Sequence, residues 1–231
     1  MNKSTDAAAS PSAWIELPHF DWTPLMAENT PTVRFGKGET LFSQGDAVRH
    51  VYVVEEGRVR LLLLSAAGHE KHMAIVGTRG MVGECSAFLD GRHSVTAVAS
   101  SDVVARPVGH QQLLEGMARH PACLRQVLWL VNVKLRILAN QNLLLSQATA
   151  TQRVIYHLVQ LADTYGEAET EGGTRIGVAF THQEMANITG LSRVMVSNVL
   201  IQLHEQGITD KSKSHCVIRD MQGLRQRAAA M

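Results

Sequence analysis

Arg193, Val194, Ser197 and Asn198 lie within two turns of any helix that carries them, and each offers a different recognition chemistry. A guanidinium presents a fork of donors, a β-branched apolar side chain packs on methyl groups, and a hydroxyl and an amide both donate and accept. That mixture suits the edges of DNA bases, and Arg193 is the member able to donate bidentately. Thr181 and Ser192 flank the group, while Lys211 and Lys213 follow it with the charge needed to hold phosphates. No set of residues suits bond-making chemistry, since a glycine-rich phosphate loop, a nucleophile elbow and an HExxH pair are all missing from the chain. Cys85, Cys123 and Cys216 are scattered and odd in number, which argues against a disulfide framework and excludes a four-cysteine iron–sulfur site within one chain.

Those base-reading candidates need a rigid support. Thr181-His182-Gln183-Glu184 has the spacing of a capping box, and Gly190 supplies the residue at which a helix can end in a tight turn. Ser192 caps a second helix whose buried stripe is Val196, Val199, Leu200 and Leu203, leaving Arg193, Val194, Ser197 and Asn198 on the open face. A recognition helix enters the major groove by its N-terminal residues, so this is a helix-turn-helix pattern. Gly207-Ile208 closes the helix, and 211–218 can form a small wing. Upstream, 153–165 reads as an amphipathic helix, 166–177 as a polar turn region and 176–180 as a short strand.

Before these elements, Leu124, Leu128, Val131, Leu135, Leu138, Asn142 and Leu145 recur in alternating steps of four and three. This is a heptad seam on one long helix opened by His120-Pro121, and a second copy of the chain is the expected partner, with Asn142 fixing register. The competing expectation is that the seam packs on the preceding domain. Lys134 and Arg136 interrupt the apolar run, which excludes a membrane span. From 32 to about 107, short β-rich runs alternate with glycine-containing turns, the pattern of an antiparallel sandwich or roll. Residues 1–30 read as an irregular arm containing Trp14, Phe20 and Trp22. Net charge is +1, so any basic footprint must be local, and the N-terminus has no apolar core of signal-peptide length. The expected compartment is the cytoplasm.

The chain resembles the cyclic-AMP receptor protein and fumarate-nitrate regulator superfamily over almost its whole length. The residues that carry the likeness are Gly45, Gly57, Gly68 and Gly80, then Gly83-Glu84, the heptad helix, and Phe180-Thr181-His182-Gln183-Glu184-Met185-Ala186 leading into Gly190-Leu191-Ser192-Arg193. The resemblance implies an α+β fold: an arm (1–30), an antiparallel β-roll sensor (31–119), a dimerisation helix (120–147) and a winged helix-turn-helix domain (148–231). It implies an effector-responsive transcription regulator that binds a palindromic operator as a homodimer, contacting RNA polymerase if it activates. An enzyme or a small-molecule module built on the roll is the alternative.

The resemblance also locates an effector pocket at Gly83, Glu84, Cys85, His93, Ser94 and Lys134. Cyclic-nucleotide-binding relatives have Arg-Ser where this chain has His93-Ser94, with Arg92 one place earlier, and a Thr-Ser pair where it has Leu138-Ala139. Losing the guanidinium loses a bidentate phosphate fork, so cyclic AMP is not the expected effector. Gas-sensing relatives carry haem, for which His72, Cys85 and His93 are the candidate ligands, although packing histidines are the expectation; an iron–sulfur cluster is not expected. The halophenol-sensing, CprK-like regulators share two features, Lys134 as a phenolate-binding lysine and Val194 in the recognition helix. Lys134 is otherwise expected to be a solvated flank residue of the coiled coil.

Overall fold

The computed structural model describes residues 12–17, 19–26, 30–89, 91–170, 172–212 and 215–229. Nine short strands form the N-terminal roll: β1 (Trp14–Ile15), β2 (Val33–Phe35), β3 (Thr40–Phe42), β4 (His50–Glu56), β5 (Val59–Leu64), β6 (Glu70–Val76), β7 (Met81–Val82), β8 (Thr96–Ala99) and β9 (Val103–Gly109). They make two sheets, ordered β1-β6-β5-β8-β3 and β2-β9-β4-β7. The alternating valines and leucines of β4 and β5 turn Val51, Val53, Val59 and Leu61 into the common core. Two helices complete this half: α1 (Glu84–Ala87), between β7 and β8, and α2 (His110–Arg119), which follows β9.

The segment read as an irregular arm is built into this core. Trp14 and Ile15 pair in parallel with Ile75 and Val76, a departure from a purely antiparallel roll. Trp14, Ile15, Leu17, Trp22 and Leu25 are all buried. A strand of two residues is too short to show alternation, so only its apolar content was visible.

The long helix α3 (Pro121–Gln147) carries two interleaved heptad stripes. Cys123, Val127, Leu130, Lys134, Ile137, Gln141 and Leu144 are buried, whereas Leu124, Leu128, Leu135, Leu138 and Leu145 are exposed. The stripes are offset by one residue, about 100° of helix rotation. The roll is therefore packed mainly by a different stripe; of the seam Leu124-Leu128-Val131-Leu135-Leu138-Asn142-Leu145, Val131 alone is half-buried against the core and the rest is exposed.

The C-terminal half contains α4 (Ala150–Tyr165), β10 (Gly166–Ala168), β11 (Thr174–Ile176), α5 (His182–Thr189), α6 (Arg193–Glu205), β12 (Thr209–Ser212), β13 (His215–Ile218) and α7 (Met221–Ala229). Its sheet runs β10-β11-β13-β12, so 166–176 is a hairpin extending the wing, not a turn region. The strand expected over 176–180 lies earlier, as β11, and ends at Ile176, with one further ladder bond from the Gly177 amide to the Tyr165 carbonyl. The final helix α7 packs Leu224 into the core and was not anticipated.

Strand β6 joins the two halves. Lys71 Nζ donates to the Ile188 carbonyl, and Arg153 Nη1 donates to that of Thr189 at 3.0 Å. These cations satisfy carbonyls left open at the C-terminal end of α5 and oppose its dipole.

Candidate DNA-reading face and effector cassette

At the candidate DNA-reading face the local signals act as expected. Thr181 Oγ1 accepts from the Glu184 amide at 3.0 Å, and Glu184 Oε2 accepts from the Thr181 amide at 2.8 Å. Helix α5 ends at Gly190, whose φ of 68° lies in the left-handed region, where a Cβ is disfavoured. Ser192 Oγ then accepts from the Met195 amide at 3.2 Å and starts α6. Burial of Val196, Val199 and Leu203 fixes the rotation of that helix, with Leu200 half-buried beside them.

Arg193, Val194 and Asn198 are exposed as the pattern required, Val194 to 68%. Ser197 departs from the expectation: it is half-buried, and its Oγ lies 2.6 Å from His182 Nδ1. That contact ties the first residue of α5 to the recognition helix. Ile201 is exposed seven residues after Val194 and extends the same face, as helical spacing could have shown. In the wing, Lys211 pairs with Cys216 across the β12–β13 hairpin. Lys213 lies outside the described residues.

At the cassette, β7 is followed by Gly83 with φ 93°, and α1 begins at Glu84. A Cβ on Gly83 would come within 3.2 Å of His93 Cε1 and 3.4 Å of Phe42 Cε1. Glu84 is fully buried; its Oε1 accepts from Lys134 Nζ at 2.6 Å and from Cys85 Sγ at 3.2 Å. Lys134 Nζ also donates to the Met81 carbonyl at 2.9 Å. The solvated-flank expectation for Lys134 is thus corrected. It sits in the buried stripe of α3, one position from the seam, and its charge is neutralised inside the protein.

The remaining cassette residues point to other partners. The Ser94 amide donates to Ser86 Oγ at 3.0 Å, with the two hydroxyls 3.1 Å apart. Arg92 Nη1 donates to the Gly45 carbonyl at 2.9 Å, so it does not replace the missing phosphate fork. His93 stacks on Phe42 with ring centroids 3.7 Å apart. Gly83, Glu84, Cys85 and Lys134 therefore form one cluster, while His93 and Ser94 lie behind it.

The donors proposed for haem do not fit it. Burial, followed by the Glu84 charge, pushes the Cys85 thiol up to about 12, away from the thiolate that binds iron. His72 is buried in β6 against α5, with Nε2 3.2 Å from Asn187 Nδ2 and 3.5 Å from Glu70 Oε2. Burial lowers the pKa of both His72 and His93 and so favours the neutral imidazole; it is their packing, His72 against α5 and His93 against Phe42, that stands against haem ligation. Among the described residues no group of three His, Cys, Asp or Glu side chains could hold a metal ion.

Comparison with known proteins assigns a family to each half of the chain. Residues 32–120 match the cyclic nucleotide-binding domain family, and 152–227 match the Crp-like helix-turn-helix domain family. The chain is 31% identical to the "Cyclic AMP receptor protein" of Thermus thermophilus, over 75% of this chain and 77% of that one. It is 28% identical to the "CRP-like cAMP-activated global transcriptional regulator" of Mycobacterium tuberculosis, over 85% and 87%. The solved structure of FixK2 from Bradyrhizobium japonicum superposes with a TM-score of 0.75 at 24% identity, covering 87% of this chain and 98% of that one. With the β-roll, the long helix and the helix-turn-helix in place, the chain belongs to the CRP/FNR family of DNA-binding transcription regulators.

Proposed function

We propose that the chain acts as a homodimer, joined along the seam of α3, that reads an inverted-repeat operator through Arg193, Val194 and Asn198. The observation that carries this reading is the division of α3 into two stripes. One stripe is committed to the roll, while the other leaves Leu124, Leu128, Leu135, Leu138 and Leu145 exposed at heptad spacing. A single helix cannot bury such a seam on itself, and a parallel copy can. Half-site centres about one helical turn apart, roughly 10 bp, follow from two-fold symmetry. Thr181, Ser192, Lys211 and Lys213 would serve the DNA backbone, with Ser197 acting through its contact to His182. RNA polymerase is a partner if the protein activates.

The effector is read as something other than cyclic AMP, although relatives are named for that nucleotide. In cyclic-nucleotide-binding relatives the glutamate of this Gly-Glu pair holds the ribose hydroxyl; here Glu84 is bonded to Lys134, and no guanidinium takes the phosphate position. The same pair weighs against a phenolate at Lys134, which would have to displace Glu84. Among the described residues no helix is long and apolar enough to cross a membrane, and the cytoplasm is the proposed compartment. An enzymatic role is not proposed, because the polar clusters described here are bound to one another. Selection from a random-sequence DNA pool tests the reading. Recovery of an inverted repeat by the dimer supports it, and failure to enrich any sequence with or without cell extract overturns it.

A further inference from the structure

His93 is only 4% exposed, and its Nδ1 has no hydrogen-bond partner. The lost hydration of such a nitrogen is not replaced; the Nδ1 atoms of His72 and His157 share that state, and it is the cavity beside it that sets His93 apart. The ring lines a cavity of about 320 Å³ whose walls come from β3, β4 and the turn between them, with no contribution from α1 or α3. The cavity is thus separate from the Glu84–Lys134 cluster, with His93 between the two.

Its walls have a definite chemistry. Phe42 lies nearly parallel to His93, at 11° and 3.7 Å, and nearly parallel to Tyr52, at 20° and 6.3 Å. His93 covers one face of Phe42, and the aromatic wall left to a ligand, the rest of Phe42 and the half-buried Tyr52, suits a flat ring lying against it. Arg49 lines the cavity, is exposed, and has no ion-pair partner among the described residues. The other charge, Asp46, is engaged, since its Oδ2 accepts from the Ser43 amide at 2.9 Å. A flat apolar face, a guanidinium fork and an unpartnered imidazole nitrogen together complement a planar acid.

We propose that this cavity is a ligand site for a small aromatic carboxylate, its ring against Phe42 and Tyr52, its carboxylate on Arg49, and a polar ring substituent at His93. The volume accommodates an acid of one or two rings. Occupancy of the site does not depend on the operator reading, because it is measured without DNA.

The probe is 4-fluorobenzoate, titrated into the full chain and followed by fluorine NMR. Saturable binding is expected, weakened at least about tenfold by Arg49→Gln and at least about tenfold for uncharged 4-fluorobenzyl alcohol. Because 4-fluorobenzoate lacks the polar substituent, 4-fluorosalicylate is expected to bind more tightly, and His93→Phe, which keeps the ring stack, should erase that gain. No saturable binding up to about 10 mM overturns the proposal, as does binding that is unchanged by Arg49→Gln.

Discussion

Lys134 Nζ and Glu84 Oε1 lie 2.6 Å apart with both side chains out of solvent, so the long helix is joined to the cassette of the roll by a buried charge pair. Removing one member leaves the other charge without compensation in the interior. Lys134→Met is therefore expected to destabilise the protein by about 3–5 kcal/mol, and Glu84→Gln by a similar amount. The double variant should lose much less than the sum, because both charges are then gone. Urea unfolding of the four proteins measures this coupling; additive losses would mean that the pair does not clamp the helix.

Leu135, 62% exposed at the middle of the seam, is the position at which to test association. Leu135→Lys would place a charge in the proposed interface at a cost of several kcal/mol, by the order of the penalty for desolvating an ion. Sedimentation should show a monomer at micromolar concentration with the far-ultraviolet spectrum retained. A dimer under those conditions would remove the seam from the interface.

The thiols should be inert in the native state. Burial raises the Cys85 thiol to about 12, Cys216 to about 11, and Cys123 above its ordinary range. At pH 8 the Cys85 thiolate fraction is then about three orders of magnitude below that of a free cysteine, and its alkylation should slow in proportion. Rapid modification of Cys85 in the folded protein, located by mass spectrometry, would contradict this environment.

His157 makes stability sensitive to acid. It is fully enclosed, edge-on to Trp14 with centroids 5.5 Å apart, and burial followed by the Lys71 charge lowers its pKa to about 3. The unfolded chain takes up this proton near pH 6.5 and the folded chain does not. Stability is therefore full above that pH and is lost as the pH falls from 6.5 towards 3, amounting to about 2 kcal/mol between pH 8 and pH 5. His157→Phe should remove that part of the pH dependence in denaturant titrations, leaving the share of His72 and His93, whose pKa values are also lowered. An unchanged slope would show that His157 can be protonated in place.

Base specificity should follow Val194. Its side chain lacks an acceptor for cytosine N4 but can pack on a thymine methyl, so a T·A pair is expected at that step of each half-site. Val194→Glu should move the preference there to G·C by about 1–3 kcal/mol. Identical half-site logos from the two proteins would mean that position 194 does not reach a base.

The parts legible in the sequence were those set by local rules. The capping box at Thr181 and Glu184, the turn at Gly190 and the cap at Ser192 act within a few residues of themselves, and each is found as read. The seam was legible because a heptad repeat needs only one helix to be seen. Lys134 was misplaced because its role depends on a partner fifty residues away, and because a lysine beside a seam residue ordinarily reaches water. Ser197 is less open than read for a related reason, since its partner His182 sits on the preceding helix. The second stripe shared the spacing of the first, but Lys134 and Gln141 interrupted its apolar character.

The two stripes of α3 also restrict how its gene can change. Substitutions on either face are independent events, but a deletion of one codon within 124–144 would turn everything beyond it by about 100° and present each face to the other's partner. Both phases are restored together only by gains or losses close to a whole heptad, so helix length should be far less free to drift than helix composition.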